Sequence, residues 1–415
     1  MPHLAIAFIW ILSLCSILLM LIRPRGIAEA WWIGGGALLL VLTRLLPLAA
    51  AGHAIREGLD VYLFLIGMML LAETARHEEV FDWMAGIAVD HARGSAARLF
   101  LLIYLAGTIV TIFLSNDATA VVLTPAVLAA VRHANLRPRP YLLICALIAN
   151  AASFVLPISN PANLVIFDAH MPTLAHWLRV FLLPSAAAVL ATYFILRFLS
   201  RAELAEKIAV IPRSNSLHAG GKAALAGIAI SAGVLLVASG LGWQLGAPTC
   251  AVGILSVLLV TLRDRRAALT VLRGVSWSIV PLVAGLFTIV EALNRGGMLR
   301  MAERGLLWAA GMPSLTGKLA AGFSVALLSN GMNNLPIGLA SSSAMRHAQL
   351  GGAIQHAVLV GVDLGPNLSV TGSLATILWL IALRREGVEI TAWEFLKVGV
   401  IAMPVALLAS LLVLF

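Results

Sequence analysis

Charge is what this chain has least of. Only 11% of its 415 residues are Asp, Glu, Lys or Arg, against about a quarter in a soluble domain. Acidic residues are the scarcer sign, 19 against 28 basic, which leaves a formal charge of +9. With 61% hydrophobic residues, this composition excludes a soluble domain and defines a polytopic membrane protein. Cysteine is nearly absent. Cys15, Cys145 and Cys250 fall in separate apolar stretches, which excludes a disulfide framework and a thiolate metal site. No HExxH, GxSxG or paired-carboxylate metal motif occurs, so an intramembrane enzyme is not indicated and no metal or cofactor is expected. The stretch 4–22 lacks a basic leader and a small-residue cleavage site, and reads as a first span rather than a signal peptide. The excess arginine lies between apolar stretches, which fits membrane orientation and not nucleic-acid binding.

What the chain has in abundance is apolar runs. A helical span needs about 20 such residues. Spans are expected near 4–22, 29–48, 58–75, 141–167, 176–199, 223–241, 247–262, 277–294, 353–381 and 394–415. Two further stretches, 98–131 and 313–345, are each interrupted by a polar knot. The first knot is Ser115-Asn116-Asp117 and the second is Ser329-Asn330-Gly331. Hydrocarbon penalises an unpaired polar group by several kcal/mol. Two such knots at matching points imply a binding site.

The two halves repeat. Arg132-His133-Ala134-Asn135-Leu136 matches Arg346-His347-Ala348-Gln349-Leu350, and the Ser-Asn knots share the same shift of 214 positions. Gly67 and Glu73 match Gly285 and Glu291, and 157–163 matches 369–375, so the shifts run from 212 to 218. Loops rich in Lys and Arg, placed in the cytoplasm, put both termini outside and both ends of 98–131 inside. Both ends of 313–345 then lie outside. Each knotted stretch is either a re-entrant hairpin or two full spans. The Arg295–Lys318 loop departs from the rule.

The expected fold is all-α: an inverted repeat of two halves, each with about five transmembrane helices and a re-entrant hairpin, and with broken helices at the midplane. The first repeat covers 1–205, with its hairpin at 98–131 and broken helix at 141–167. A cytoplasmic linker covers 206–221. The second repeat covers 222–415, with its hairpin at 313–345 and broken helix at 353–381. Stretches 80–91 and 298–309 read as matched interfacial helices, either plain connectors or stiff arms between a static and a moving part.

Inverted repeats with broken helices characterise secondary transporters, with the solute held near the midplane. Around the expected breaks sit Ser115, Asn116, Ser159, Asn160, Asn163, Ser329, Asn330, Asn333, Asn334, Thr371 and Ser373. Such a lining donates and accepts hydrogen bonds but carries almost no charge, which suits a neutral oxy-solute better than a dicarboxylate. Helix capping and helix–helix bonding are the competing roles for these side chains. Asp117 and Asp363 stand out, because a carboxylate at mid-membrane costs ~3 kcal/mol. Desolvation favours the neutral carboxyl group, which is what a proton carrier needs. Capping the following helix is the alternative role for Asp117. Glu73 and Glu291 read as solvated helix ends, His133 and His347 as structural, and the tryptophans at span ends as an interfacial belt.

Three runs carry a family resemblance: Phe113 to Pro125 around Ser115-Asn116-Asp117, Ser329-Asn330-Gly331-Met332-Asn333-Asn334-Leu335-Pro336, and Gly361 to Leu380 around Asp363 and Gly365-Pro366. Together they resemble the ArsB-type arsenite permeases of the ion transporter superfamily, over nearly the whole chain. The resemblance implies a scaffold and a transport domain, elevator-like motion, and export of arsenite and antimonite across the bacterial cytoplasmic membrane in exchange for protons. It also implies, for some members, work with a soluble ATPase subunit. On this reading Ser115, Asn116, Asn160, Asn163, Asn330, Asn333, Thr371 and Ser373 hold the substrate, and Asp117 and Asp363 couple the proton. A sodium/proton antiporter or sodium-coupled carboxylate transporter of the same superfamily is the alternative. Related tips read Ser-Asn-Thr where this chain reads Ser-Asn-Asp and Ser-Asn-Gly, which argues against a symmetric pair of sodium sites.

Overall fold

A computed structural model describes residues 3–167, 171–205, 216–261 and 265–414. The order begins with α1 (His3–Ile22), α2 (Glu29–Leu42), α3 (Leu48–Glu57), α4 (Leu59–His77) and α5 (Val80–His91). Then α6 (Ala96–Phe113) leads to Ser115, followed by a single turn α7 (Asn116–Ala118), a π-helical turn over Thr119–Leu123, and α8 (Thr124–His133). Two short helices, α9 (Arg139–Ala151) and α10 (Pro161–Phe167), flank a 3₁₀ turn at Pro157–Ser159, and α11 (Leu174–Leu199) ends this part. The second part runs α12 (Ala219–Gly240), α13 (Gly246–Thr261), α14 (Arg265–Gly274), α15 (Ile279–Arg295) and α16 (Met298–Ala310). It continues with α17 (Ser314–Met332), α18 (Asn334–His347), α19 (Ala353–Leu364), a 3₁₀ turn at Gly365–Asn367, α20 (Leu374–Arg385) and α21 (Ala392–Leu412). Most of the expected linker, 206–215, lies outside the described residues.

The protein is a multi-pass membrane protein. Among the described residues six helices are long and apolar enough to cross a membrane, or seven with α3 and α4, bent by 47°, taken as one. The expected spans at 29–48 and 247–262 come out as shorter helices of 14 and 16 residues. The expected breaks inside 141–167 and 353–381 are present, each marked by a proline that cannot donate to the preceding turn: Pro157 and Pro366.

Helix α4 lies against α13, and α15 against α2. Gly67 and Gly285 permit this. A Cβ on Gly67 would strike the Thr249 carbonyl, and one on Gly285 would come within 2.7 Å of the Ile33 side chain and 3.2 Å of its backbone. Backbones this close are the usual basis of helix association in lipid. The stretches expected to be interfacial helices form α5 and α16. Each follows a residue with positive φ, Glu79 (φ 55°) or Gly297 (φ 103°). Helix α5 packs on α6 and α8, and α16 on α17 and α18.

The two knotted stretches differ. In the first, helix α6 stops at Phe113 and Ser115 is fully extended (φ 177°, ψ 167°), so the break falls on the knot. In the second, α17 runs through Ser329 and Asn330 to Met332, and the break falls three residues past Asn330, at Asn333 (φ 74°, ψ 154°). Asn330 Nδ2 bonds Ala326 O one turn back (2.8 Å) within this continuous helix. Asn333 takes the strained position, in a backbone region that otherwise favours glycine, and its Oδ1 accepts from Leu335 N (3.4 Å).

Candidate functional site

The broken helices cross at the centre and are tied by side chains from both parts of the chain. Asn150 Nδ2 donates to Asn367 Oδ1 (3.0 Å), and Ser373 Oγ donates to Asn150 Oδ1 (3.4 Å). Asn160 Nδ2 donates to Asp363 Oδ1 (2.7 Å), while its Oδ1 accepts from Ala162 N (3.0 Å) at the start of α10. Ser373 Oγ caps α20 by accepting from Thr376 N (3.2 Å). Asn163 Nδ2 reaches three carbonyls of its own break, Ser153 O, Leu156 O and Pro157 O. Buried polar groups must be paired, and here each break supplies partners to the other.

A narrow cavity adjoins this crossing. Its polar lining is Asn116, Asp117, Asn160, Asn334 and Ser373; Leu65, Pro161, Ile279, Val283, Leu335, Leu374 and Ala375 complete it. The four neutral polar residues are buried, and Asp117 is half-buried. The space, about 10 Å³, holds roughly one water molecule. Helices α10, α18 and α20 begin at its wall, so the positive ends of their dipoles lie beside it, with the first N–H groups of α18 already paired, Asn334 N with Gly372 O and Leu335 N with Asn333 Oδ1. Among the described residues the Asp117 carboxylate has no ion-pair or hydrogen-bond partner, and its backbone N–H donates to Asn116 Oδ1 (2.9 Å). The lining contains no Lys, Arg, His or Cys.

Of the residues that the sequence singles out, Asn116, Asp117, Asn160, Asn334 and Ser373 meet in this cavity. Ser115 lines a second cavity next to it, together with Asp117 and Glu73, and caps α7 by accepting from Ala118 N (3.1 Å). Asn330, Asn333 and Thr371 do not line the central cavity. They staple the second hairpin to the second break instead. Asn330 Nδ2 donates to Gly365 O (3.0 Å), Ser369 Oγ donates to Asn330 Oδ1 (2.6 Å), and Thr371 Oγ1 donates to Asn330 O (2.8 Å). Asn333 Nδ2 donates to Thr371 O (3.4 Å), and Asn334 N to Gly372 O (2.9 Å). Asp363 is fully buried, one hydrogen bond behind Asn160, with its Oδ2 unpartnered. Asn163 is likewise fully buried behind the wall. Asn150, Asn367, Ser369 and Thr376 were not anticipated; the available signal is an amide or hydroxyl inside an apolar run. Glu73, read as a solvated helix end, is only 9% exposed.

Helical spans with two broken helices crossing around a polar centre define a membrane transporter. The chain belongs to the citrate transporter family (CitMHS), whose sequence model matches residues 16–361. It is 26% identical over 93% of both chains to an arsenical pump membrane protein of Escherichia coli, and 27% identical, at the same coverage, to a second one from that organism. An arsenical pump membrane protein of Yersinia enterocolitica is 26% identical, again over 93% of both chains. The resemblance to ArsB-type permeases carried by the three motifs therefore extends along the chain. Among solved structures, the Alcanivorax borkumensis YdaH transporter superposes with a TM-score of 0.58 at 16% identity, covering 87% of this chain and 86% of that one. That likeness concerns the fold.

Proposed function

We propose that this transporter exports arsenite, and antimonite, across the bacterial cytoplasmic membrane in exchange for protons. The observation that carries the reading is the central lining: three amides, one hydroxyl, one carboxylate and no cationic side chain. The N-termini of α10, α18 and α20 place partial positive charge beside the Asp117 carboxylate. Such a site has no cationic side chain and is rich in hydrogen-bonding groups. It suits an uncharged trihydroxide such as As(OH)₃. A tricarboxylate such as citrate would call for arginine or bound cations, so the solute in the family's name is not the one that this lining favours.

Asn116, Asn160, Asn334 and Ser373 hold the hydroxyl groups, and Asp117 carries the proton. Asp363 keeps Asn160 oriented. Asn163, Asn330, Asn333 and Thr371 fix the breaks so that the site moves as one body. The two halves form an inverted repeat, with α5 and α16 as arms between a scaffold, which includes α2, α4, α13 and α15, and a mobile transport domain. The basic loops face the cytoplasm and the termini the periplasm. The cavity widens as the transport domain shifts, since a metalloid hydroxide is larger than one water.

The test is metalloid resistance in a strain stripped of its own efflux systems, followed by pH-jump uptake of arsenite into everted vesicles with and without an uncoupler. Expected is uncoupler-sensitive arsenite uptake. No protection, together with sodium-dependent flux, would favour the sodium-linked alternative. Co-expression with a soluble ATPase subunit that leaves uncoupler sensitivity unchanged supports a purely gradient-driven pump.

A further inference from the structure

Helices α4 and α15 run between the same two outer cavities in opposite senses. The beginning of α4 (Asp60 and Val61) lines a cavity with Glu291, and its far end lines a different cavity with Glu73. The beginning of α15 (Ile279) lines the Glu73 cavity, and its far end (Phe287, Val290, Glu291 and Asn294) lines the other. Between these ends the two helices give Leu65 and Val283, which share the repeat shift of 218, to the central cavity. Each glutamate follows its central residue by two turns, about 12 Å along the helix, and the two line cavities at opposite ends of α4 and α15.

The glutamates also share their local chemistry. Glu73 Oε2 is held by Arg76 Nη2 (2.6 Å) and Nε (2.7 Å), and Glu291 Oε1 by Arg295 Nε (2.6 Å). Gly274 leaves the room that the first pair occupies, because a Cβ there would meet Glu73 Oε2. Asp117 stands where the Glu73 cavity joins the central one; Leu65, Pro161 and Ile279 are the other shared lining residues. The Glu291 cavity shares no lining residue with the central cavity. It also contains Glu57, Asp60 and Arg346, and Asp60 is occupied in capping α13 through Gly246 N (2.8 Å).

We propose that Glu73 and Glu291 are paired carboxylates that take up and release the coupling proton, one at each mouth, exchanging it with Asp117 whenever the central cavity opens to their side. This rests on the proton-exchange reading above. In each transfer one carboxylic O–H breaks and one forms on the receiving carboxylate, so the number of protonated carboxyl groups is unchanged. Neither residue touches the solute. They are positioning residues for the proton, and the alternate opening of the cavity decides which one is in use.

The experiment uses the full-length protein in proteoliposomes of known orientation, with proton dependence of arsenite flux measured separately from each face. Glu73→Gln is expected to raise the apparent proton KM about tenfold or more at the Arg76 face alone, and Glu291→Gln at the opposite face alone. The arsenite KM should stay within about twofold, since a group that never contacts the solute adds no binding energy to it. Glu73→Asp and Glu291→Asp keep a carboxylate and should restore most of the proton dependence. Arg76→Gln breaks the ion pair but keeps the carboxylate. It should behave more like wild type than Glu73→Gln does, whereas a purely structural ion pair makes the two variants alike. Wild-type flux with proton dependence unchanged in both Gln variants, or changed equally at both faces by each, overturns this inference while leaving arsenite export standing. Absence of arsenite flux in the wild type overturns the functional reading itself.

Discussion

Asn160 donates its amide to the carboxylate of Asp363 at 2.7 Å, with both residues fully buried. The bond joins the break of the first part of the chain to the helix before the break in the second. Asn160 lines the central cavity and Asp363 does not. Replacing Asp363 therefore probes the support of the site separately from its lining.

Asp363→Ala removes the acceptor and strands the Asn160 amide, and an unsatisfied buried donor costs about 1–3 kcal/mol. Asp363→Asn keeps an acceptor at Oδ1. The expected order of thermal midpoints in detergent is wild type close to Asp363→Asn, with Asp363→Ala clearly lower. Asp363→Asn should also keep proton-driven flux. Loss of flux in a well-folded Asp363→Asn protein would move the coupling role from Asp117 to Asp363.

Asp117 sits at the junction of the central cavity and the Glu73 cavity. Asp117→Asn preserves size and hydrogen bonding but cannot exchange a proton. The variant is expected to reach the membrane at normal levels and to lose uncoupler-sensitive arsenite transport, while solute exchange at equal pH on both sides persists. The measurement is vesicle flux with and without a pH jump. Wild-type flux with unchanged pH dependence removes Asp117 from the mechanism.

The two asparagines Asn330 and Asn334, one turn apart on either side of the Asn333 break, do different work. The side chain of Asn330 makes three hydrogen bonds, to Ala326 O, Gly365 O and Ser369 Oγ. At about 1 kcal/mol net each, Asn330→Ala is expected to lower stability by roughly 2–3 kcal/mol. Asn334 lines the cavity. Asn334→Ala should raise the arsenite KM with a much smaller change in thermal midpoint. Unfolding in detergent and concentration-dependent flux separate the two, and an unchanged KM in Asn334→Ala would place the solute elsewhere.

Much of this architecture was legible in the residues. Apolar runs located the helices, and the prolines with Asn and Ser around 157–163 and 365–373 located the breaks, because a missing N–H and side chains that cap turns leave a mark at fixed positions. The knot of the second hairpin was less transparent. Ser329-Asn330 and Ser115-Asn116 look equivalent as sequence, yet one stays helical and the other breaks. The choice depends on Asn330 finding Gly365 O and Ser369 across 35 and 39 positions of chain. Long-range partners of that kind leave no local trace. The same holds for Asn150, whose amide meets Asn367 across 217 positions. Glu73 misled for a related reason. A glutamate near a helix end reads as solvated, and its burial follows from the close approach of α14 at Gly274.

Trivalent arsenic is thiophilic, so the cysteines invite a role. Their placement argues against one. Cys145 is fully buried in α9, donating to the Tyr141 carbonyl at 3.6 Å, and neither Cys15 nor Cys250 lines the central cavity. An export cycle also needs contacts weak enough to release the solute on each turnover, which hydrogen bonds of about 1 kcal/mol net supply and a thiolate–arsenic bond does not. Replacing all three cysteines, with Ala at Cys145 and Ser at Cys15 and Cys250, is expected to leave arsenite export and its proton dependence intact. The cost in stability should be confined to the small volume lost at Cys145. The check is resistance and vesicle flux at matched expression. Abolished export from a normally expressed, cysteine-free protein would mean that a thiol takes part in carrying the metalloid.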